Sequence, residues 1–313
     1  MKRKIRLAAA LLATSSVLSL CSFTASATGT EPAQTESLSL ERTGTVSFNR
    51  YELSVSKIYN KNAGAYAPIR ITHNGVRLSS DARMINGAPY VALRSFIDET
   101  TDMTVTYKSA SKTLNIRGGG LDMDVIDGSN VIYANGRHLF SMTPSVIMTN
   151  GRMYAPLSNV AKALGFSYSF ASSSGVSLGG RVKPIAHAST YYAEDAVYWL
   201  SRIISAESRG EPLLGQIAVG SVVMNRVKSS LYPNTIWGVI FDRKYGVQFS
   251  PIIDGAIYQT PTASAVAAAK ICLEGFNVNS SALFFLYPRH STSSWIPNNR
   301  TYIFSIGKHD FYA

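Results

Sequence analysis

The chain has 313 residues, 46% of them hydrophobic, enough for about two domains with packed cores, so disorder is not the default reading. Its formal charge is +11, but the basic residues are scattered, with no basic helix and no aromatic RNA-binding motif, which makes nucleic acid a poor partner. A basic surface on an exported chain suits an anionic wall polymer or membrane face, and plain solubility explains it equally well.

Export is read from the first residues. Lys2, Arg3, Lys4 and Arg6 precede a short apolar run that ends at Ala25-Ser26-Ala27, a small-x-small cleavage signal. Residues 1–27 therefore read as a secretory signal peptide with Thr28 as the mature start. The competing reading is a transmembrane anchor; the run is short and ends in small polar residues, so no anchor is expected after cleavage. Cys21 follows Leu20, where lipidation would want a small residue. Without its signal the chain carries +7, about +5 over residues 28–192 and +2 over 193–313. Cys272 is then the lone cysteine, which allows no intramolecular disulfide and is expected to fill a core helix.

Residues 28–69 read as a polar tail followed by leading strands, with β-prone runs between Thr43 and Thr72. An internal repeat follows. MINGAPYVAL from Met84 aligns with MTNGRMYAPL from Met148, an offset of 64 residues (148 − 84). Each Asn-Gly lies between β-prone runs, the signature of a tight hairpin turn. Each copy then enters a short helical pattern, Leu93 to Thr100 and Leu157 to Leu164, followed by further strands. Residues 70–180 resemble the copper amine oxidase N-terminal-like domain, a repeated module read here as a stalk or wall-association unit. No copper is expected, because His73, His138 and His187 lack metal-site spacing and read as surface residues. Residues 181–192, rich in small and polar residues after Gly179-Gly180, read as a linker.

From Ala193 the period turns helical. Val197, Leu200, Ile203 and Ile204 share one face, and Glu207 continues it. A carboxyl at the end of an apolar stripe gains pKa from partial burial, as a general acid needs; a solvated helix-end glutamate in the same phase is the competing reading. Gly210 and Pro212 end the helix and leave Glu207 facing a loop. Glu211 reads as a structural or helper carboxylate. A second helix is expected from Leu214 to Ser229, with Gly215 and Gly220 explained by close packing on the first; Asn225 and Arg226 near its end are candidates for loop or substrate contacts. The aromatic loop from Leu231 to Ser250 suits sugar rings. Within it Trp237 reads as core and Gln248, Phe249 and Ser250 as substrate contacts. Thr260 is expected to cap a third helix, with Pro261 at its first position. Beyond it, Ala282 to Tyr287 and Thr301 to Ile306 read as strands and Pro288 to Arg300 as a polar loop. Trp295 in that loop is a candidate border of a glycan groove. His309 is a candidate proton carrier, and structural as the competing reading.

AESRGEP (206–212), GQIAVGSVVMNRV (215–227), PNTIWGVI (233–240), QFSP (248–251), ALFFLYP (282–288), SSWI (293–296) and IGKHDFY (306–312) occur in this order. Residues 193–313 thereby resemble the SleB-type cell wall hydrolases, which include spore cortex-lytic enzymes. The resemblance implies a lysozyme-related, mainly helical domain with a small antiparallel sheet, hence an α+β chain with a β-rich N-terminal module. It further implies a lytic transglycosylase acting on peptidoglycan glycan strands, with the family's catalytic glutamate at Glu207. Departures at Ala206, Ser208, Tyr287 and Lys308 leave the acid in place; Tyr287 stands where the family more often has Asn, which puts a substrate contact there in doubt. No cofactor or metal is expected. The implied location is the secreted or wall fraction of a Gram-positive-type bacterium, with a spore association. Hydrolytic muramidase, amidase and non-catalytic wall-binding protein are the competing functions.

Overall fold

A computed structural model describes residues 45–48, 51–54, 66–142, 146–244, 246–289, 291 and 294–313. The signal peptide and polar tail read from the sequence lie outside them. Two short strands come first, β1 (Thr45–Phe48) and β2 (Tyr51–Ser54). The module follows with β3 (Ile71–His73), β4 (Val76–Arg77), β5 (Ala82–Ile85), β6 (Ala88–Ala92), α1 (Leu93–Thr100), β7 (Thr104–Lys108), β8 (Thr113–Gly118) and β9 (Leu121–Ile126). Its second half is β10 (Val131–Ala134), β11 (Arg137–Phe140), β12 (Ile147–Thr149), β13 (Arg152–Pro156), α2 (Leu157–Leu164), β14 (Ser167–Ala171) and β15 (Gly175–Gly179).

The repeat is larger than the aligned ten residues. Asn74-Gly75, Asn86-Gly87, Asn135-Gly136 and Asn150-Gly151 all have positive φ at both positions, the geometry of a two-residue hairpin turn. Each copy therefore begins with an extra hairpin, β3–β4 or β10–β11. The copies are interlocked. One sheet runs β12-β13-β6-β5, and its central pairing sets Ala155 opposite Val91, equivalent residues at the same offset of 64 (155 − 91). A local two-fold axis thus passes between them. The first hairpin of copy one pairs with the last of copy two, β3 parallel to β15. The first hairpin of copy two reaches the last of copy one through β9, in the order β11-β10-β9-β8-β7. One core, including Phe96, Met123, Leu157 and Leu164, draws on both copies.

The expected linker is packed down. Lys183 and Ile185 donate their amides to Leu164 and Ala163, and the Asn135 side-chain amide holds the Ile185 carbonyl at 2.7 Å. The C-terminal domain comprises α3 (Ala188–Tyr191), α4 (Glu194–Ser208), α5 (Leu213–Lys228), α6 (Ile236–Phe241), α7 (Pro251–Asp254), a 3-10 turn at Ala256–Tyr258 and α8 (Ala263–Leu273). It ends with β16 (Phe284–Leu286), α9 (Trp295–Asn299), β17 (Tyr302–Ile306) and β18 (His309–Tyr312). The chain is α+β, with a strand-rich N-terminal region and a helical C-terminal region bearing a small antiparallel sheet.

Some sequence expectations shift. Thr262, not Thr260, caps α8, accepting from Ala265 N at 3.2 Å, because Pro261 lies outside the helix. The loops at 231–250 and 288–300 contain α6 and α9. The last residues form β18, which pairs with both β16 and β17, and β1 and β2 extend that same sheet beyond β17. His138 is half-buried, and burial lowers its pKa to about 4. Cys272 is buried on α8. Among the described residues no helix is long and apolar enough to cross a membrane.

Helices α4, α5 and α8 form the core of the C-terminal domain, and Gly220 is where they meet. A methyl group there would lie 2.7 Å from Cys272 Sγ and 2.8 Å from Ile204 Cδ1. Module and domain meet around a buried carboxylate, Glu274, at the end of α8, and Val131 and Phe140 of the module enter the C-terminal core. Arg137 donates Nε and Nη2 to its two oxygens at 2.6 and 2.7 Å, Lys162 Nζ lies at 2.8 Å and Tyr192 hydroxyl at 2.6 Å. These donors hold Glu274 below the ordinary carboxylate range against the opposing effect of burial, which is the larger single contribution. Phe140 packs on Phe276 beside it, ring centres 4.6 Å apart. Glu274→Ala leaves Arg137 buried without a counter-charge. A loss of about 3–5 kcal/mol in a denaturant titration is expected; an unchanged midpoint would show that the junction contributes nothing.

Candidate functional site

Helix α4 opens with Glu194 and Asp195, whose charges favour its N-terminus. Leu200, Ile203 and Ile204 are fully buried one and two turns before its end. The helix stops at Ser208, where the Ser208 hydroxyl donates back to the Ile204 carbonyl at 2.7 Å. Glu207 lies in this last turn, on the edge of the buried face. Its side chain keeps some surface, yet its carboxyl is crowded by protein, and burial pushes its pKa up to about 7. The negative charge of Asp254 adds to the rise and Arg226 opposes it. No hydrogen bond from a described residue reaches the carboxyl. An acid that holds its proton near neutrality, with free oxygens, can give that proton to a substrate.

Arg226 comes from α5 and is buried. Its Nε donates to the Leu283 carbonyl at 2.8 Å, and Nη1 lies 3.5 Å from Gln248 Oε1. The rings of Tyr232, Phe249 and Phe284 surround the guanidinium at 5.0–5.4 Å. Burial pulls its pKa down, while Tyr232, Asp242 and Glu207 favour the charged form.

Glu211 is placed differently from Glu207. One oxygen accepts the Lys308 amide at 2.9 Å, and the other lies 4.0 Å from His309 Nδ1. Its backbone carbonyl accepts from Gln216 Nε2 at 2.9 Å. The carboxylate thus bridges the α4–α5 turn to the β17–β18 turn. Gly307 makes this possible: its φ is +57°, and a methyl group there would come within 1.8 Å of Glu211 Oε2. His309 is buried, and that burial lowers its pKa in spite of Glu211 and Asp310.

The remaining candidates divide. Asn225 is a structural staple: its amide donates to the Asn279 and Ala282 carbonyls at 2.8 Å each, and its oxygen accepts from Asn277 at 2.6 Å. Phe249 is only 3% exposed and presents no face to solvent. Gln248 is partly exposed, with its amide donated to the Gly246 carbonyl at 3.1 Å. Ser250 starts α7, its carbonyl accepting from Ile253 at 2.8 Å. Tyr287 is half-buried, its ring centre 6.2 Å from that of His309. Trp295 is 39% exposed on α9, with the Arg300 guanidinium 5.1 Å from its ring centre.

Trp237 overturns its expected place. It is 55% exposed, because it sits on the outer side of α6 while Val239 and Ile240 take the buried side. Asp254 and Asp242 are the residues that the sequence reading missed. Each ends or follows a short helix with no periodic signal, and only the folded chain brings their charges to bear on Glu207 and Arg226. Among the described residues no group of three His, Cys, Asp or Glu side chains could hold a metal ion.

Residues 210–312 match the family described as cell wall hydrolase, and residues 70–176 match the copper amine oxidase N-terminal domain. Glu207 lies just ahead of the first match. The spore cortex-lytic enzyme of Bacillus cereus is 40% identical over 120 residues, covering 38% of this chain and 45% of that protein. The spore cortex-lytic enzyme of Bacillus subtilis is 36% identical over 120 residues, 38% of each chain. The chain thus spans less than half the length of these relatives. Among solved structures, the catalytic domain of the germination-specific lytic transglycosylase SleB from Bacillus anthracis is 39% identical, with 39% of this chain and 97% of that chain covered and a TM-score of 0.36.

Three outcomes test the site. If Glu207 acts as an acid with its pKa near 7, turnover of a glycan substrate falls about tenfold per pH unit above that value. Asp254→Asn removes a like charge, so the alkaline limb should move to lower pH; an unmoved limb would separate Asp254 from the acid. Gly307→Ala should cost about 1–3 kcal/mol of stability in thermal unfolding, since both the backbone and Glu211 must shift.

Proposed function

We propose that this chain, whose C-terminal domain belongs to the cell wall hydrolase family and whose N-terminal module is a copper amine oxidase N-terminal domain, cuts peptidoglycan glycan strands as a lytic transglycosylase. The observation that carries this reading is the contrast between two carboxylates four residues apart. Glu207 is crowded, protonated near neutrality and free of hydrogen bonds from described residues. Glu211 is committed to the Lys308 amide and the His309 ring.

One free acid is enough for transglycosylation. Glu207 donates its proton to the glycosidic oxygen of the bond from N-acetylmuramic acid to N-acetylglucosamine, and the C1–O bond breaks. The carboxylate so formed takes the proton of the muramic C6 hydroxyl as that oxygen bonds to C1. The products are a free hydroxyl on one strand and a 1,6-anhydro ring on the other, with no water consumed. Positive charge that develops at C1 sits near the Glu207 carboxylate, which electrostatics favours in a crowded site.

Ordinary hydrolysis needs a second carboxylate. Asp254 is the group that favours that second reading, since its charge acts on Glu207 and its side chain is exposed. Its Oδ1 accepts the Ala256 amide at 2.9 Å, which holds it at the end of α7. Similarity to the spore cortex-lytic enzymes supports a wall substrate and a spore association; export from the cell rests on the signal-like N-terminus. The basic module would hold the chain against anionic wall polymers.

Product mass decides between the readings. The chain incubated with purified peptidoglycan should release anhydro-muropeptides, and Glu207→Gln should lose them by at least about a hundredfold, the lower range for a general acid. Reducing-end products carrying the mass of water would sink the transglycosylase and favour a muramidase. Free stem peptides would identify an amidase.

A further inference from the structure

The outer face of the C-terminal domain carries an aromatic surface that the chemistry at Glu207 does not use. Trp237, Tyr258 and Tyr198 are 55%, 61% and 42% exposed. They are linked through half-buried Trp199, whose ring centre lies 4.9 Å from Tyr198, 5.2 Å from Phe241 and 6.4 Å from Tyr258. Trp237 packs on Phe241 at 5.1 Å with only 30° between the ring planes. Monomer surfaces usually scatter large apolar side chains singly, and a contiguous patch marks an interaction site.

We propose that this face, formed by α4, α6 and the 3-10 turn at Ala256–Tyr258, is a glycan-binding platform that holds sugar rings beyond those at Glu207. The proposal rests on the reading of the site as a glycan-strand cutter and deepens it. Three observations select a glycan. First, aromatic faces match the C–H faces of pyranose rings, and each ring here is buttressed by another, so little freedom is lost on binding. Second, Arg202 lies on the same face of α4, with its guanidinium 3.6 Å from the Tyr198 ring centre. Its Nε is buried without a hydrogen-bond partner, and no ion pair to it is found among the described residues. A cation so placed suits the carboxylates that wall glycan carries on its muramic branches.

Third, the elements that carry the platform also carry the site. Trp199 precedes Glu207 by eight residues on one helix, about 12 Å along the axis, a gap within the reach of an oligosaccharide. Phe241 adjoins Asp242, whose charge acts on Arg226. Tyr258 follows by four residues Asp254, whose charge acts on Glu207. A strand seated at the acid would therefore run out over these rings.

The test uses the full chain with Glu207→Gln, which holds the probe without cutting it. It is titrated with N-acetylglucosamine oligomers of increasing length and with soluble wall glycan, and tryptophan fluorescence is read. Affinity should rise with length. Adding Trp237→Ala should remove most of that rise, about tenfold for the long probes and under about twofold for the shortest. Tyr258→Ala should act in the same direction, which guards against a folding defect in one variant; unfolding midpoints of both are compared with the parent. Arg202→Ala should weaken wall glycan more than the uncharged oligomers. Equal long-probe affinity in parent and both aromatic variants would overturn the platform. So would a concentration-dependent dimer that Trp237→Ala dissolves, since a second copy would then be the occupant. A chain that binds long glycan through these rings yet releases no cleaved product from peptidoglycan in its unmutated form would overturn the Glu207 reading and leave the platform standing.

Discussion

The position of Glu207 depends on how closely three helices can approach at Gly220. Any side chain there would push against Ile204 on α4 and Cys272 on α8. Ile204 is less than one turn from Glu207, and Arg226 is less than two turns further along α5. The crossing at Gly220 therefore sets the distance between the acid and the cation that opposes its rise in pKa. Burial wins that contest: the carboxyl is lifted to about 7 despite Arg226, because crowding by apolar atoms outweighs one cation that is itself engaged with the Leu283 carbonyl. The acid is thus tuned first by the packing of the core and then by the charge of Asp254.

The same economy shows in Glu211. A carboxylate beside a reactive acid would raise its pKa further if both were free. Here Glu211 is drawn the other way, to the β17–β18 turn, by the Lys308 amide. Gly307 leaves room for it. The motif Ala206–Pro212 therefore carries two carboxylates with separate duties, and the break after Ser208 is what turns them to opposite sides.

Much of this was readable from periodicity and punctuation. The apolar stripe at Leu200, Ile203 and Ile204 located the buried face of α4, and Asn-Gly located the hairpins. Hidden features shared a physical cause: each depends on contacts far apart in sequence. Trp237 looked like core because its neighbours are apolar, yet a six-residue helix with two buried positions leaves a third outside. Asp254 and Asp242 act through space on residues 47 and 16 positions away (254 − 207 and 242 − 226). Asn225 looked like a substrate contact, but its hydrogen bonds to residues 277–282 consume it. The extra hairpins at Asn74 and Asn135 carried the right dipeptide, but their flanking strands are too short and too different for alignment to find.

The pairing of Val91 with Ala155 has a consequence for how the module folds. Each copy lends its leading hairpin to the other's closing sheet, and one core draws on both. Neither half can bury its apolar face without the other, so the two fold as one cooperative unit. The second half also grips the neighbouring domain, through Lys162 on its helix and Arg137 on its hairpin. Strain on that grip is therefore felt by the whole module and not by one repeat.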